Sequence, residues 1–280
     1  MAKIIYGNEI SALICNNLKK EIDDLVVKPT LAVIIVGDDP ASEVYVASKI
    51  KLAQKVGIKS MTIKLASNIK QDELNQKIIE LNNNQEIDGI LLQLPLPKHL
   101  SSQSIQLIDP KKDVDGLTIT NIGKLHLNQD CLIPCTPKGI IKMLDTIGFQ
   151  YDGQNAVVIG RSNLVGLPIA KLLEGKNCTV TICHSKTKNL KAYSQKADLL
   201  IVAVGQPKFI TSDYIKKNAI VIDVGINRID GKLCGDVDFD DCLDQASYMT
   251  PVPKGVGPMT VTMLLENTLK AYYDRRKEND

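Results

Sequence analysis

Asn155-Ala156-Val157-Val158-Ile159-Gly160-Arg161-Ser162-Asn163-Leu164-Val165-Gly166-Leu167-Pro168 decides the fold of this chain. It reads as a short β-branched strand, a tight turn at Gly160 and the opening of a helix. Gly160 permits the turn, and Gly166 lets the helix pack close to the strand. A helix start of this kind offers free N–H groups and a positive dipole to a phosphate. The spacing is G-x-S-x-x-x-G, with Ser162 where a full dinucleotide fingerprint carries its middle glycine. The next strand, Thr179–Cys183, runs into His184-Ser185-Lys186-Thr187-Lys188. An acid there would grip the ribose 2′-hydroxyl of NAD. Hydroxyls and cations, with Arg161 in the glycine turn, favour a 2′-phosphate and hence NADP. A solvated basic turn is the competing reading of the same five residues.

Further strands follow at 198–204 and 219–224, each ending in a glycine, Gly205 and Gly225. Asp230-Gly231 marks a hairpin. The run 250–260 is dense in Pro and Gly but interleaved with apolar residues, so it reads as a shaped, rigid loop. Pro258 or Met259 begins a last helix reaching about Tyr273, and the polar tail 274–280 is expected to fray. Toward the N-terminus the same alternation appears. A helix at 9–26 places Ile10, Leu13, Ile14, Leu18 and Ile22 on one side. Strands at 31–36, 60–65 and 89–94 alternate with helices, the last strand being ended by Pro95 and Pro97. Alternating strands and helices imply parallel sheets with right-handed crossovers. At 280 residues the chain is long enough for two such domains. The boundary is placed near Pro134-Cys135-Thr136-Pro137, where Thr136 reads as a helix cap and Pro137 as the first helical residue.

One helix of the first half carries a group that its pattern does not explain. Asp39 and Pro40 mark its start and Gly57 its end. Tyr45 and Lys49 are four apart, so they share a face, which Leu52 and Val56 continue. A lysine in an apolar stripe that packs inward loses water, and its pKa falls toward neutrality. A phenol one turn away can hydrogen-bond the amine. The bland alternative is a snorkelling surface lysine beside a half-buried tyrosine. Ligands on parallel sheets gather at the carboxyl ends of strands. Gln93 lies at such an end and must find a partner in a ligand or in the backbone. Asp113 and Asp115 follow in a loop ending at Gly116, where turn chemistry alone could account for both.

Composition narrows the classes. The 34 basic and 32 acidic side chains leave a net charge of +2, with no Trp and three Phe. That gives no reason to invoke nucleic acid or a membrane surface. Seven scattered cysteines form no CxxC pair, which disfavours a metal site and suits a reducing cytoplasm.

Taken together, the motifs Tyr45-Val46-Ala47-Ser48-Lys49, Gln93-Leu94-Pro95-Leu96-Pro97, Lys112-Asp113-Val114-Asp115-Gly116, Pro134-Cys135-Thr136-Pro137, Gly160-Arg161-Ser162 through Pro168, and Gly255-Val256-Gly257-Pro258-Met259-Thr260 carry a resemblance over essentially the whole length. The chain resembles the bifunctional 5,10-methylenetetrahydrofolate dehydrogenase/cyclohydrolase family. The resemblance implies two three-layer α/β domains with a cleft between them, the second a Rossmann-type parallel sheet. It implies a folate-binding catalytic domain over 1–135, completed by the C-terminal helix 258–280, and an NADP-binding domain over 136–257. NADP as cofactor, tetrahydrofolate derivatives as substrates, a homodimer and the absence of a metal follow in the same way. By resemblance, Lys49 is the catalytic acid/base, Tyr45 orients it and stacks on the folate, Gln93 assists it, and Asp115 holds the pteridine. Gly160, Arg161, Ser162, Ser185 and Ile226 look like cofactor contacts, and Gly257, Pro258 and Thr260 like the folate wall. The family pattern has a glycine where this chain has Lys254, and the segment 117–121 departs from the commoner wording.

A monofunctional NAD(P)-dependent methylenetetrahydrofolate dehydrogenase is the neighbouring alternative. Short-chain alcohol dehydrogenases also use Tyr-x-x-x-Lys, but there the pair follows the nucleotide turn, whereas here it precedes it. A nucleotide sensor without catalysis would need no lysine in the helix stripe.

Overall fold

The structure, a computed structural model, describes residues 1–277; positions 278–280 of the expected polar tail lie outside the described residues. In chain order the elements are β1 (Lys3–Ile4), α1 (Gly7–Asp23), β2 (Thr30–Val36), α2 (Pro40–Val56), β3 (Lys59–Leu65), α3 (Gln71–Asn83), β4 (Gly89–Leu92) and α4 (Ile119–His126). They continue as α5 (Cys135–Thr146), β5 (Asn155–Ile159), α6 (Gly166–Glu174), β6 (Thr179–Cys183), α7 (Leu190–Ser194), β7 (Leu199–Val202) and β8 (Ile220–Asp223). The chain closes with β9 (Asn227–Ile229), β10 (Lys232–Cys234), α8 (Phe239–Cys242), β11 (Tyr248–Met249) and α9 (Val256–Lys277).

These elements form two α/β units, one of residues 13–135 and 261–277, the other of residues 1–12 and 136–260. The first is built on a parallel three-stranded sheet in the order β3-β2-β4. Central β2 is an unbroken apolar run because both of its faces are covered. Its Ala32, Ile34 and Val36 pack with Leu74, Ile78 and Leu81 of α3 and with Ile90 and Leu92 of β4. Strand order reverses between β2 and β4, so the loops leaving these two strands border a switch point where ligands bind in such sheets. Helix α2 leaves from β2 there, and Gln93 follows β4 directly.

The second unit holds a parallel six-stranded sheet in the order β1-β11-β8-β7-β5-β6. Its switch point lies between β5 and β7. Gly160 leaves the first of these strands and Ala203 the second. The hairpin β9–β10 turns through Asp230 and Gly231, both at positive φ (48° and 77°), the pairing that suits a two-residue turn.

Several boundaries depart from those expected. Residues 1–12 group with the nucleotide-type sheet rather than with the first unit, because Lys3 pairs with Tyr248 and the Ile5 N–H donates to the Met249 carbonyl at 2.8 Å. A two-residue strand leaves no periodicity to read. The last division falls after Thr260 rather than Gly257, and α9 starts at Val256, ahead of Pro258. That helix also runs on to Lys277 instead of fraying from 274, since Arg275 and Arg276 reach buried Asp88 at 3.1 and 2.8 Å. Helix α5 begins at Cys135, so Thr136 is not its cap; the Thr136 hydroxyl meets that of Thr260 at 2.9 Å. In α1, Ile10, Leu18 and Ile22 are buried as expected, whereas Leu13 is 65 % exposed.

Candidate active site

Both ends of α2 are fixed by its sequence. The Asp39 carboxylate accepts the Ser42 N–H at 2.8 Å, Pro40 occupies the first turn, and Gly57 closes the helix at φ 91°. Ser42, Val46, Lys49, Ala53 and Val56, spaced by four and three, form its buried stripe. Lys49 is therefore 5 % exposed in the middle of an apolar face. The four-residue spacing to Tyr45 predicts a phenol–amine hydrogen bond. Instead, Nζ stands 4.6 Å from the centre of the Tyr45 ring and donates to Oε1 of Gln93 at 3.0 Å. The Gln93 amide also donates to the Leu94 carbonyl, so its two ends serve the lysine and the backbone together.

Loss of water lowers the Lys49 pKa, while the nearby Asp115 and Cys135 pull it back up. Asp115 is pushed up by burial and by Asp113, and held back by Lys49 and by a hydrogen bond with Cys135. Tyr45, although 37 % exposed, has its phenol raised to about 12, first by desolvation and then by Asp115 and Cys135. Tyr45, Lys49, Gln93 and Asp115 thus share one electrostatic neighbourhood, in which an ammonium can shed its proton more easily than on a surface.

The loop that carries Asp115 is fastened on both sides. Lys112, 2 % exposed, donates to the carbonyls of Leu81, Asn82 and Asn84 at the end of α3. Asp113, 1 % exposed, accepts the Thr118 N–H at 2.7 Å and Asn121 Nδ2 at 2.9 Å through Oδ2. Thr118 and Asn121, in the segment that departs from the commoner wording, are therefore what Asp113 holds. Asp113 is committed to this loop, as the turn-chemistry reading would have it. Asp115 faces Lys49 electrostatically, which that reading does not explain.

In the other unit, Gly160, Arg161 and Ser185 line a cavity of about 260 Å³ with His184, Val204 and Gln206. A Cβ on Gly160, whose φ is 126°, would stand 2.3 Å from the Ala203 carbonyl oxygen, and one on Gly166 the same distance from that of Gly160. Both glycines are thus required by close backbone approach. Arg161 supplies a cation, Ser185 a hydroxyl and His184 an imidazole, and among the described residues no carboxylate lines this cavity. That donor set fits a nucleotide with a 2′-phosphate. Ser162 lies outside the wall: its hydroxyl accepts the N–H groups of Val165 and Gly166 at 3.2 and 3.4 Å, shaping the turn. Ile226, expected among the cofactor contacts, instead shares a second cavity of about 270 Å³ with Gly257, Pro258 and Lys254. Thr260 is on neither wall and is engaged with Thr136.

Comparison with known proteins gives a consistent result over nearly the whole chain. Residues 5–115 match the tetrahydrofolate dehydrogenase/cyclohydrolase catalytic domain, and residues 134–276 match the NAD(P)-binding domain of the same proteins. The chain belongs to the tetrahydrofolate dehydrogenase/cyclohydrolase family. The bifunctional protein FolD of Bacillus cytotoxicus is 51 % identical over 276 residues, 97 % of this chain and 96 % of that one. The solved bifunctional enzyme FolD of Campylobacter jejuni superposes with a TM-score of 0.97 at 45 % identity, covering 98 % of this chain and all of that one. FolD from Trypanosoma brucei, solved with NADP cofactor and an inhibitor, gives 0.93 at 35 % identity and 98 % coverage of both chains.

Within this family member, Lys254 adopts φ 80°, a conformation that favours glycine, which accounts for the glycine of the family pattern at that point. Residue-by-residue reading overlooked Cys135 as a neighbour of Asp115 and Lys49, because its apolar setting looked structural. Its thiol also donates to the Val114 carbonyl at 3.3 Å. Gln206 was likewise passed over, since it has no fixed spacing from the glycine turn, whereas His184 lay in the basic turn already quoted.

Proposed function

We propose that this chain oxidises 5,10-methylenetetrahydrofolate to 5,10-methenyltetrahydrofolate with NADP, and then hydrolyses that product to 10-formyltetrahydrofolate. The observation that carries the proposal is Lys49: a desolvated amine with a lowered pKa, hydrogen-bonded to Gln93, against Tyr45 and within the field of Asp115. Hydrolysis needs one group that accepts and returns protons near neutral pH. Neutral Lys49 takes the proton of the water that adds to the methenyl carbon. As the ammonium, it returns that proton to the ring nitrogen as the C–N bond breaks, and the remaining hydroxyl proton passes to solvent as the formyl C=O forms. Gln93 Oε1 fixes the direction of Nζ during both transfers. Tyr45 orients the lysine and stacks on the folate, and Asp115 holds the pteridine.

Gly160, Arg161 and Ser185 would hold NADP, with Ser162 shaping the turn that presents them; when bound, NADP supplies the hydride acceptor for the first step. In that step the protein's part is mainly alignment. Gly257 and Pro258 belong to the folate wall in this reading, while Thr260 is engaged with Thr136. The relatives named bifunctional favour two activities over a dehydrogenase alone. We place the reaction in one-carbon metabolism serving purine biosynthesis. A homodimer in the cytoplasm completes the proposal, with seven cysteines outside any disulfide supporting a reducing compartment.

The test supplies methylenetetrahydrofolate with NADP or NAD and follows reduced cofactor and formyl product separately. Reduced cofactor and product should both form, with NADP bound more tightly than NAD. A chain that binds NADP but never reduces it with folate present would be a sensor, and equal affinity for the two nucleotides would refute the 2′-phosphate reading. Lys49→Met should keep folate and NADP binding and abolish the hydrolytic step; full activity in that variant would remove Lys49 from the mechanism.

A further inference from the structure

Two buried carboxylates lie where the hairpin β9–β10 returns to the sheet. Asp223 ends β8 and Asp236 follows β10; they are 4 % and 0 % exposed. The Asp223 carboxylate accepts the N–H groups of Gly225, Asp236 and Val237 at 2.9, 3.0 and 2.9 Å. A Cβ on Gly235 would lie 1.8 Å from Asp223 Oδ2, and one on Gly225 2.3 Å from Asp236 Oδ1. Each glycine leaves the space that the opposite carboxylate fills.

Asp223 ties the return strand to itself, but Asp236 reaches elsewhere. Its Oδ2 accepts the backbone N–H groups of Val204 and Gly205 at 2.7 and 2.9 Å. Its Oδ1 accepts the Gln206 N–H at 2.9 Å and Asn227 Nδ2 at 2.8 Å. Three consecutive amides converging on one anion make a nest, here filled by the chain's own side chain. Val204 and Gln206 line the cavity that contains Gly160, Arg161 and Ser185. Asn227 follows Ile226, on the wall of the second cavity. Gly205, between the two lining residues, sits at φ 65° with open space where a side chain would be. No packing on that side restrains the turn, so the carboxylate does.

We propose that Asp236 is a positioning residue for the nicotinamide cofactor: its carboxylate holds the 204–206 turn in the shape that the nucleotide meets. This rests on the NADP reading given above. An amide at position 236 would keep one acceptor oxygen and turn its other end into a donor facing N–H groups, so the nest would lose part of its bonding and gain a repulsion.

The test compares full-length wild type with Asp236→Asn, using NADPH fluorescence titration and the kinetics of both reactions. The dissociation constant for NADPH and the KM for NADP should rise about tenfold, the effect of a disrupted buried charged hydrogen-bond set. The kcat at saturating NADP and the hydrolysis of methenyltetrahydrofolate without nucleotide should stay within about twofold. Unchanged NADPH affinity would overturn the proposal, and so would parallel loss of both activities, which marks a merely structural role. If Asp236→Asn does not fold, Gly205→Ala strains the same turn while leaving the carboxylate in place. A raised KM for NADP is expected there, and an unchanged one overturns the proposal. Failure of the wild type to oxidise the folate would sink the functional reading alone, because NADPH affinity is measured without turnover.

Discussion

Lys49 is the residue at which stability and chemistry pull in opposite directions. Its folded pKa lies below the ordinary 10.5, so the ammonium binds its proton less well folded than unfolded. At neutral pH this destabilises the folded chain, and the penalty fades as pH rises toward 10.5. Lys49→Met should therefore melt at a higher temperature than wild type while losing hydrolysis, which calorimetry and a methenyltetrahydrofolate assay would read together. A lower melting temperature would show that the ammonium is well compensated. Asp115 favours the charged amine. In Asp115→Asn the pKa of Lys49 should fall further, and the acid limb of the hydrolytic kcat/KM profile should move to lower pH. An unmoved limb would mean that another group titrates. The apolar stripe in the sequence pointed to this lysine, but not to its partners. Gln93 is forty-four positions away, and only the fold brings its amide to Nζ.

Helix α2 and the loop before α9 show what an element's own residues can and cannot encode. Asp39, Pro40 and Gly57 act locally, through the first and last turns, so both ends of α2 were legible before any contact was known. The cap is worth about 1 kcal/mol, and Asp39→Ala should lose roughly that in chemical denaturation. Lys254 is the reverse case. Its φ of 80° is set by the loop around it, and its carbonyl accepts the Asn8 N–H at 3.2 Å. Lys254→Gly should relieve strain and stabilise the chain by about 0.5–1 kcal/mol, net of the added unfolded-state freedom. Destabilisation would show that the lysine side chain contributes more than its backbone costs. Strand β1 was missed because two residues show no alternation, and the carboxylates of Asp88, Asp223 and Asp236 because their partners are mostly backbone N–H groups or arginines far along the chain.

For the whole molecule, the alternation of strands and helices specified parallel sheets in two units, whereas the strand orders, and with them the switch points, came only from the structure. The assignment of the chain ends was not. Asp88 is 0 % exposed, holds the Thr30 N–H at 2.9 Å and meets Arg275 and Arg276. Truncating both arginines would strand a buried charge, which costs about 3–5 kcal/mol. Arg275→Ala with Arg276→Ala should lower the denaturation midpoint accordingly; a loss below about 1 kcal/mol would place this pair with weak surface bridges.

Residues 261–277 group with 13–135, and residues 1–12 with 136–260. Each unit thus depends on a segment far from it along the chain. The unit of residues 13–135 must wait, with Asp88 lacking its arginines, until residues 275 and 276 have been made. The opening dozen residues wait in turn for a sheet not yet synthesised. A chain cut between 261 and 274 should therefore keep the sheet that carries Gly160 while leaving the Lys49 lobe open and Asp88 without its arginines, a fragment able to meet a nucleotide but not to perform hydrolysis.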